Sequence, residues 1–123
     1  MPPIIDYREA LNDLARDAFQ TAASKGFHND DHPAEIDIPR KLALIHSEAS
    51  EALDTLREPY DDDDLDPISG MTPMQEDDFT TEIADIIIRC LDLCASYELD
   101  IGDAVLNKMA KNQGRIFKHG KNF

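Results

Sequence analysis

The segment from Phe79 to Tyr97 constrains the fold most. Ile83, Ile86, Ile87, Cys90, Leu91, Leu93 and Cys94 recur there at helical spacing, and Ala84 and Ile88 widen their arc past half of a helical circumference. A helix lying on a protein surface needs only a narrow apolar stripe. An arc this wide predicts neighbours on two sides, and therefore a bundle of helices. The Ile86-Ile87-Ile88 triplet has the β-branched character of a strand, but a pattern about 19 residues long favours a helix.

Three further helices are predicted around it. The first starts after Asp6 as N-cap, with Glu9 placed as capping-box partner. Leu11, Leu14, Ala15, Ala18, Phe19 and Ala22 form its apolar stripe, and Gly26 tolerates the left-handed conformation that ends it. Residues 27–38 are polar, contain Pro33, and read as a loop. The second helix is predicted to open at Pro39, which suits a first helical position, and to end before Pro59. Its core face is Leu42, Ile45, Ala49, Ala52, Leu53 and Leu56. Residues 61–74 (DDDDLDPISGMTPM) hold five Asp, two Pro and one Gly without periodicity, and read as an acidic, solvated loop. The fourth helix runs from Asp100 as N-cap to about Arg115. No alternating strand pattern and no internal repeat accompany these helices. The expectation is one all-α domain over 1–123, a small four-helix bundle with a basic tail at 116–123.

Composition narrows the function classes. The chain has 12 Lys and Arg against 26 Asp and Glu, a net charge of −14, which disfavours binding to a nucleic-acid backbone. Its longest apolar run, Leu42-Ala43-Leu44-Ile45, is far short of the ~20 residues that cross a bilayer. Two cysteines four apart make no disulfide framework, and MPPIIDYREAL has neither a basic nor an apolar signal region. A soluble, reduced, cytoplasmic protein is expected, without membrane or nucleic-acid partners.

The second helix carries Glu48 and Glu51, and the third carries Glu82 and Asp85. Each pair is spaced i,i+3, so its two carboxylates share a helical face. Two such pairs on neighbouring helices offer four hard oxygen donors, a set that suits Mg²⁺ or Mn²⁺ better than Zn²⁺. Taken singly, each pair also reads as an ordinary solvated face. Arg89 continues the stripe of Glu82, Asp85 and Asp92, and a pairing with Asp85 at i+4 is expected for it.

The fourth helix reverses the charge. No acidic residue follows Asp103, whereas five of the 12 basic residues do. Lys108, Asn112 and Arg115 share one face at i,i+4,i+7. Helix-dipole complementarity accounts for one or two of these cations. A divalent-cation cage beside a Lys/Asn/Arg face has the chemistry of a polyphosphate site. Cys90 and Cys94 read as core residues and His46 as a packing or interface residue. Phe27 is placed either to anchor its loop or, with His28, to stack on a base; His119 lies in the basic tail.

Taken in order, LALIHSEASEAL (42–53), EIADIIIRCLDL (82–93) and KMAKNQGRIFKHGKNF (108–123) resemble the MazG-like nucleoside triphosphate pyrophosphohydrolases. The likeness spans about residues 7–123. It implies that Glu48, Glu51, Glu82 and Asp85 bind Mg²⁺ and that Lys108, Asn112 and Arg115 hold a triphosphate. It implies hydrolysis at the α-phosphate to a nucleoside monophosphate and pyrophosphate, in a homodimer or homotetramer. Catalytic weight would fall on Glu48, Glu51 and Lys108. Ser47 stands where the family motif often has a further glutamate, and the spacer between Glu51 and Glu82 is long for the family.

Other readings compete. A carboxylate-bridged di-iron bundle needs Glu-x-x-His, which does not occur here. A calcium loop from Asp61 lacks the Gly at its sixth position and the Glu at its twelfth, where Asp66 and Thr72 stand. A non-catalytic acidic module for binding proteins, and a hydrolase of another pyrophosphate-containing metabolite, remain the alternatives.

Overall fold

The computed structural model describes residues 2–28, 33–57 and 65–115. Its elements are α1 (Tyr7–Ser24), α2 (Ala34–Asp54), α3 (Pro73–Ser96) and α4 (Ile101–Gln113), with no strand among the described residues. The fold is all-α, its four helices packed in a bundle. α3 is the spine: α1 and α2 both pack on it, and α4 packs on α1. The wide apolar arc of α3 is thus shared between two neighbours.

Asp6 caps α1 by accepting from the Glu9 amide at 3.2 Å. The helix ends as Gly26 (φ 86°) turns left-handed, while the Phe27 and Gly26 amides donate back to the Ala22 and Ala23 carbonyls.

α2 starts at Ala34, five residues before the predicted opening at Pro39, so residues 34–38 are helix and not loop. Pro39 lies inside the helix and forfeits the amide bond it would have given to the Glu35 carbonyl. Tertiary bonding sustains the extra turn: the Tyr97 hydroxyl donates to Asp37 Oδ2 at 2.6 Å. The remaining residues of that predicted loop, 29–32, lie outside the described residues.

α3 also starts early, at Pro73 instead of about Phe79. Thr72 and Gln75 form a reciprocal capping box around Pro73, the first helical residue. Residues 73–74 therefore belong to the helix and not to the acidic loop. Asp66, expected to be a solvated charge, instead organises a turn by accepting from the Ile68 and Ser69 amides. Those two bonds hold its carboxyl below the usual carboxylate range. Residues 61–64 and the basic tail 116–123 lie outside the described residues.

α4 docks on α1 through a small polar clasp. Asp100 caps it by accepting from the Asp103 amide, and also accepts from Asn12 Nδ2, both at 2.9 Å. Asn12 Oδ1 in turn accepts from the Gly102 amide at 2.9 Å, and Arg8 pairs with Asp103 at 3.0 Å.

The apolar core is thin. Its buried members are Ala15, Ala52 and Leu91, and no large side chain is fully enclosed among the described residues. Leu14 of α1, Leu42 and Leu53 of α2, and Ile87 and Ile88 of α3 were assigned to packing faces, yet about half of each is exposed. Ala49 and Ala84, expected on the same faces, are exposed as well; helical spacing alone does not decide how far a neighbouring helix covers an apolar stripe.

Candidate metal site and adjoining cleft

Packing of α2 on α3 brings Glu48, Glu51 and Glu82 together, with one carboxylate oxygen from each inside a mutual distance of 4.8 Å. Glu48 is 8% exposed, Glu82 is half-buried and Glu51 is exposed. Glu48 and Glu51 share the same face of α2, as their i,i+3 spacing requires. Asp85, the fourth predicted donor, stands outside this trio: it is half-buried and lines a neighbouring cleft.

The trio is electrostatically strained. Glu48, by hydrogen bonding and then by charge, raises the Glu51 carboxyl above its ordinary value; partial desolvation and Glu82 add to the rise. Glu48 Oε2 and Glu82 Oε2 are buried with no hydrogen-bond partner. An unpaired buried polar atom costs about 1–3 kcal/mol, and more when charged. Such oxygens are suited to a hard divalent cation, which would supply the missing partner. The residues present therefore fit Mg²⁺ or Mn²⁺, held by Glu48, Glu51 and Glu82, with Asp85 nearby.

Arg89 relieves part of the strain. Its Nε donates to Glu48 Oε1 at 2.8 Å, so its partner is this glutamate across the helix interface and not Asp85 on its own helix. The sequence placed Arg89 on the acidic stripe; only the approach of α2 selected Glu48.

Beside the trio lies a cleft of about 800 Å³ between α1, α2 and α3. Glu48, Asp85 and Arg89 face it, together with the apolar side chains of Leu14, Leu44 and Ile88. Glu48 is the residue that the trio and the cleft have in common. His28 bonds Asp92, one of the cleft-lining residues, at 2.7 Å and packs on Phe19 with ring centroids 4.7 Å apart. His28 thus anchors the turn after α1, whereas Phe27, considered for that role, is exposed at the cleft edge. This His28–Asp92 pair had no signal in the sequence, since its partners are 64 residues apart.

Lys108 and Asn112 are exposed on α4, whose main packing partner is α1; Arg115, also exposed, lies beyond the helix, which ends at Gln113 and not at about Arg115, so it does not continue their helical face. Going from Asp100 to Asp103, α4 passes Asn12 and then Arg8, so it runs toward the N-terminal end of α1. None of Lys108, Asn112 and Arg115 lines the cleft or belongs to the trio. Cys90 and Cys94 are half-buried free thiols whose pKa values burial pushes up, which keeps them protonated at neutral pH. His46 is exposed, and His32 and His119 lie outside the described residues. No helix among the described residues is long and apolar enough to cross a membrane. Compared with protein-family models, with curated proteins and with solved structures, the chain finds no match.

Proposed function

We propose that this chain is a cytoplasmic, Mg²⁺-dependent nucleoside triphosphate pyrophosphohydrolase of the MazG-like kind. The observation that carries the reading is the convergence of Glu48, Glu51 and Glu82 from two helices, with buried carboxylate oxygens lacking partners. Bound there, Mg²⁺ or Mn²⁺ supplies Lewis acidity toward phosphate oxygens and toward water. Glu48, Glu51 and Glu82 hold the ion, and Asp85 offers a further carboxylate from the cleft wall. The reaction forms a bond between a water oxygen and the α-phosphorus and breaks the α–β anhydride. Pyrophosphate departs with the bridging oxygen, and the proton of water passes to solvent. Lys108, Asn112 and Arg115 bind the phosphates, and Lys108 and Arg115 balance charge on the leaving pyrophosphate.

α4 packs on α1, and its Lys108 and Asn112 do not line the cleft, so in this reading the phosphate-binding residues come to the site from a second copy. A homodimer or homotetramer is the reading that the surface supports. Leu14, Leu42, Leu53, Ile87 and Ile88 lie on the helices' apolar faces, yet about half of each is exposed, and burying such side chains is what stabilises an interface between copies. Sedimentation equilibrium checks this directly, and a monomer at micromolar concentration refutes it.

The enzymatic test is a panel of nucleoside and deoxynucleoside triphosphates with Mg²⁺, reading pyrophosphate apart from orthophosphate. Pyrophosphate release that disappears in Glu51→Gln and falls in Asp85→Asn is expected. Orthophosphate alone contradicts attack at the α-position. An acidic interaction module would show neither turnover nor Mg²⁺-dependent stabilisation by a non-hydrolysable nucleotide.

A further inference from the structure

The carboxylate trio carries its own cation, and that cation has unused capacity. Arg89 Nε is committed to Glu48 Oε1, yet the Arg89 side chain is 43% exposed and lines the cleft. Among the described residues its two terminal amino groups have no hydrogen bond. Glu48, nearly buried, serves as a fixed strut for the guanidinium. A guanidinium anchored through Nε keeps its remaining donors in one plane, the geometry that binds two phosphate oxygens side by side. We propose that Arg89, oriented by Glu48, is the phosphoanhydride-binding residue that a single protomer supplies to the cleft. Glu48 thereby joins the two halves of the site, with a cation on the trio side and the ligand's phosphate on the Arg89 side. The inference deepens the pyrophosphohydrolase reading and rests on the trio being a phosphate-handling centre.

The geometry predicts effects of opposite sign for metal and anion. Removing Arg89 takes a competing positive charge from Glu48, so the affinity for Mn²⁺ alone should stay unchanged or rise a few-fold. The affinity for inorganic pyrophosphate in the presence of Mg²⁺ should fall at least tenfold. Both are measured by titration calorimetry on Arg89→Ala, with Arg57→Ala as a control that deletes a charge paired with Asp54 outside the cleft. Arg89→Lys, which keeps charge but loses the fork, should bind pyrophosphate with intermediate strength, and Arg89→Gln like Arg89→Ala. Should Arg89→Ala fail to melt cooperatively, the Lys and Gln variants carry the comparison. In the unsubstituted protein, the Arg89 Nε–H resonance should shift on addition of Mg²⁺ and pyrophosphate.

Three outcomes of the binding and resonance measurements overturn the proposal. One is a folded Arg89→Ala or Arg89→Gln that keeps pyrophosphate affinity within twofold. Another is an equal loss of Mn²⁺ and pyrophosphate affinity, which would make Arg89 only a brace for Glu48. The third is an Nε–H resonance unmoved by pyrophosphate. Arg89-dependent pyrophosphate binding without hydrolysis of any triphosphate would refute the proposed activity and leave this assignment standing. Hydrolysis that proceeds normally in Arg89→Ala would do the reverse.

Discussion

Gly102→Ala should be among the most damaging single-methyl changes in this chain. A Cβ on Gly102 would lie 2.2 Å from the Arg8 carbonyl oxygen and 2.9 Å from the Arg8 carbonyl carbon and Cα. These are backbone atoms, so no side-chain rotation relieves the contact. Reaching an ordinary separation of 3.4 Å from the oxygen needs a displacement of 1.2 Å, the difference between the two distances. A shift of that size stretches the 2.9 Å bonds of Asn12 to Gly102 and Asp100 to about 4 Å, beyond hydrogen-bonding range. Overpacking of this kind costs about 1–3 kcal/mol, and the loss of two hydrogen bonds adds about 1–2 kcal/mol. The better helix propensity of Ala returns at most ~1 kcal/mol, and less so near a helix start. A net loss of about 2–3 kcal/mol remains, corresponding to a fall in Tm of roughly 10 °C for a chain of this size. Thermal unfolding followed by circular dichroism measures it. A Gly102→Ala protein melting within 2 °C of the parent, or above it, would refute the reasoning and show that α4 does not seat on α1 at this point.

Three other expectations follow from the same structure. Glu51→Gln should raise the Tm of the metal-free protein at neutral pH, because Glu48 and Glu82 disfavour the ionised Glu51 carboxyl. The penalty exists above the raised folded pKa and is relieved as pH falls through it toward the ordinary value of 4.5, so the gain should shrink on acidification. The same variant should lose stabilisation by Mg²⁺, and one that still gains from Mg²⁺ as the parent does would remove Glu51 from the metal site. Asp100 is the opposite case: bonds from Asn12 and the Asp103 amide lower its pKa, so its contribution is present above its ordinary value of 3.8 and is lost as pH drops through the folded value. Asp100→Asn, which keeps a capping residue, should melt below the parent at pH 7, with the gap closing below pH 3.8; a pH-independent gap argues against an ionic contribution. Tyr97→Phe should loosen the first turns of α2 by removing the tertiary bond to Asp37, whose ion pairs with Arg40 and Lys41 are within α2, with faster amide exchange at residues 35–38 and little change in α3. Uniform acceleration throughout the protein would instead mark Tyr97 as part of the global core.

Local signals account for what the residues revealed of the fold. The Asp6 and Asp100 caps and the Gly26 stop act through their immediate neighbours and are present, although at Asp6 only its own side chain bonds the Glu9 amide and the return bond of the expected capping box is not among the bonds of the described residues. The start of α3 was equally local: Thr72, Pro73 and Gln75 spell a capping box at the end of the stretch assigned to the acidic loop and one residue beyond it. Its polar composition masked it. The start of α2 was not local. Pro39 is a good first residue by its own chemistry, and the helix runs on upstream of it where a tyrosine 60 residues away bonds Asp37.

The site divides along the same line. Spacing on one helix put Glu48 beside Glu51 and Glu82 near Asp85, because a helix repeats every 3.6 residues whatever surrounds it. Which members of the two pairs would meet depended on the crossing of α2 over α3, and that crossing chose Glu82 over Asp85 and gave Arg89 to Glu48. The seating of α4 on α1 likewise leaves Lys108 and Asn112 out of the cleft lining. Residue order therefore determined the helices, their caps and the kinds of charge each presents, since those follow from backbone geometry over a few residues. Tertiary structure alone decided which charges share a site, because packing brings together side chains that no spacing along the chain relates.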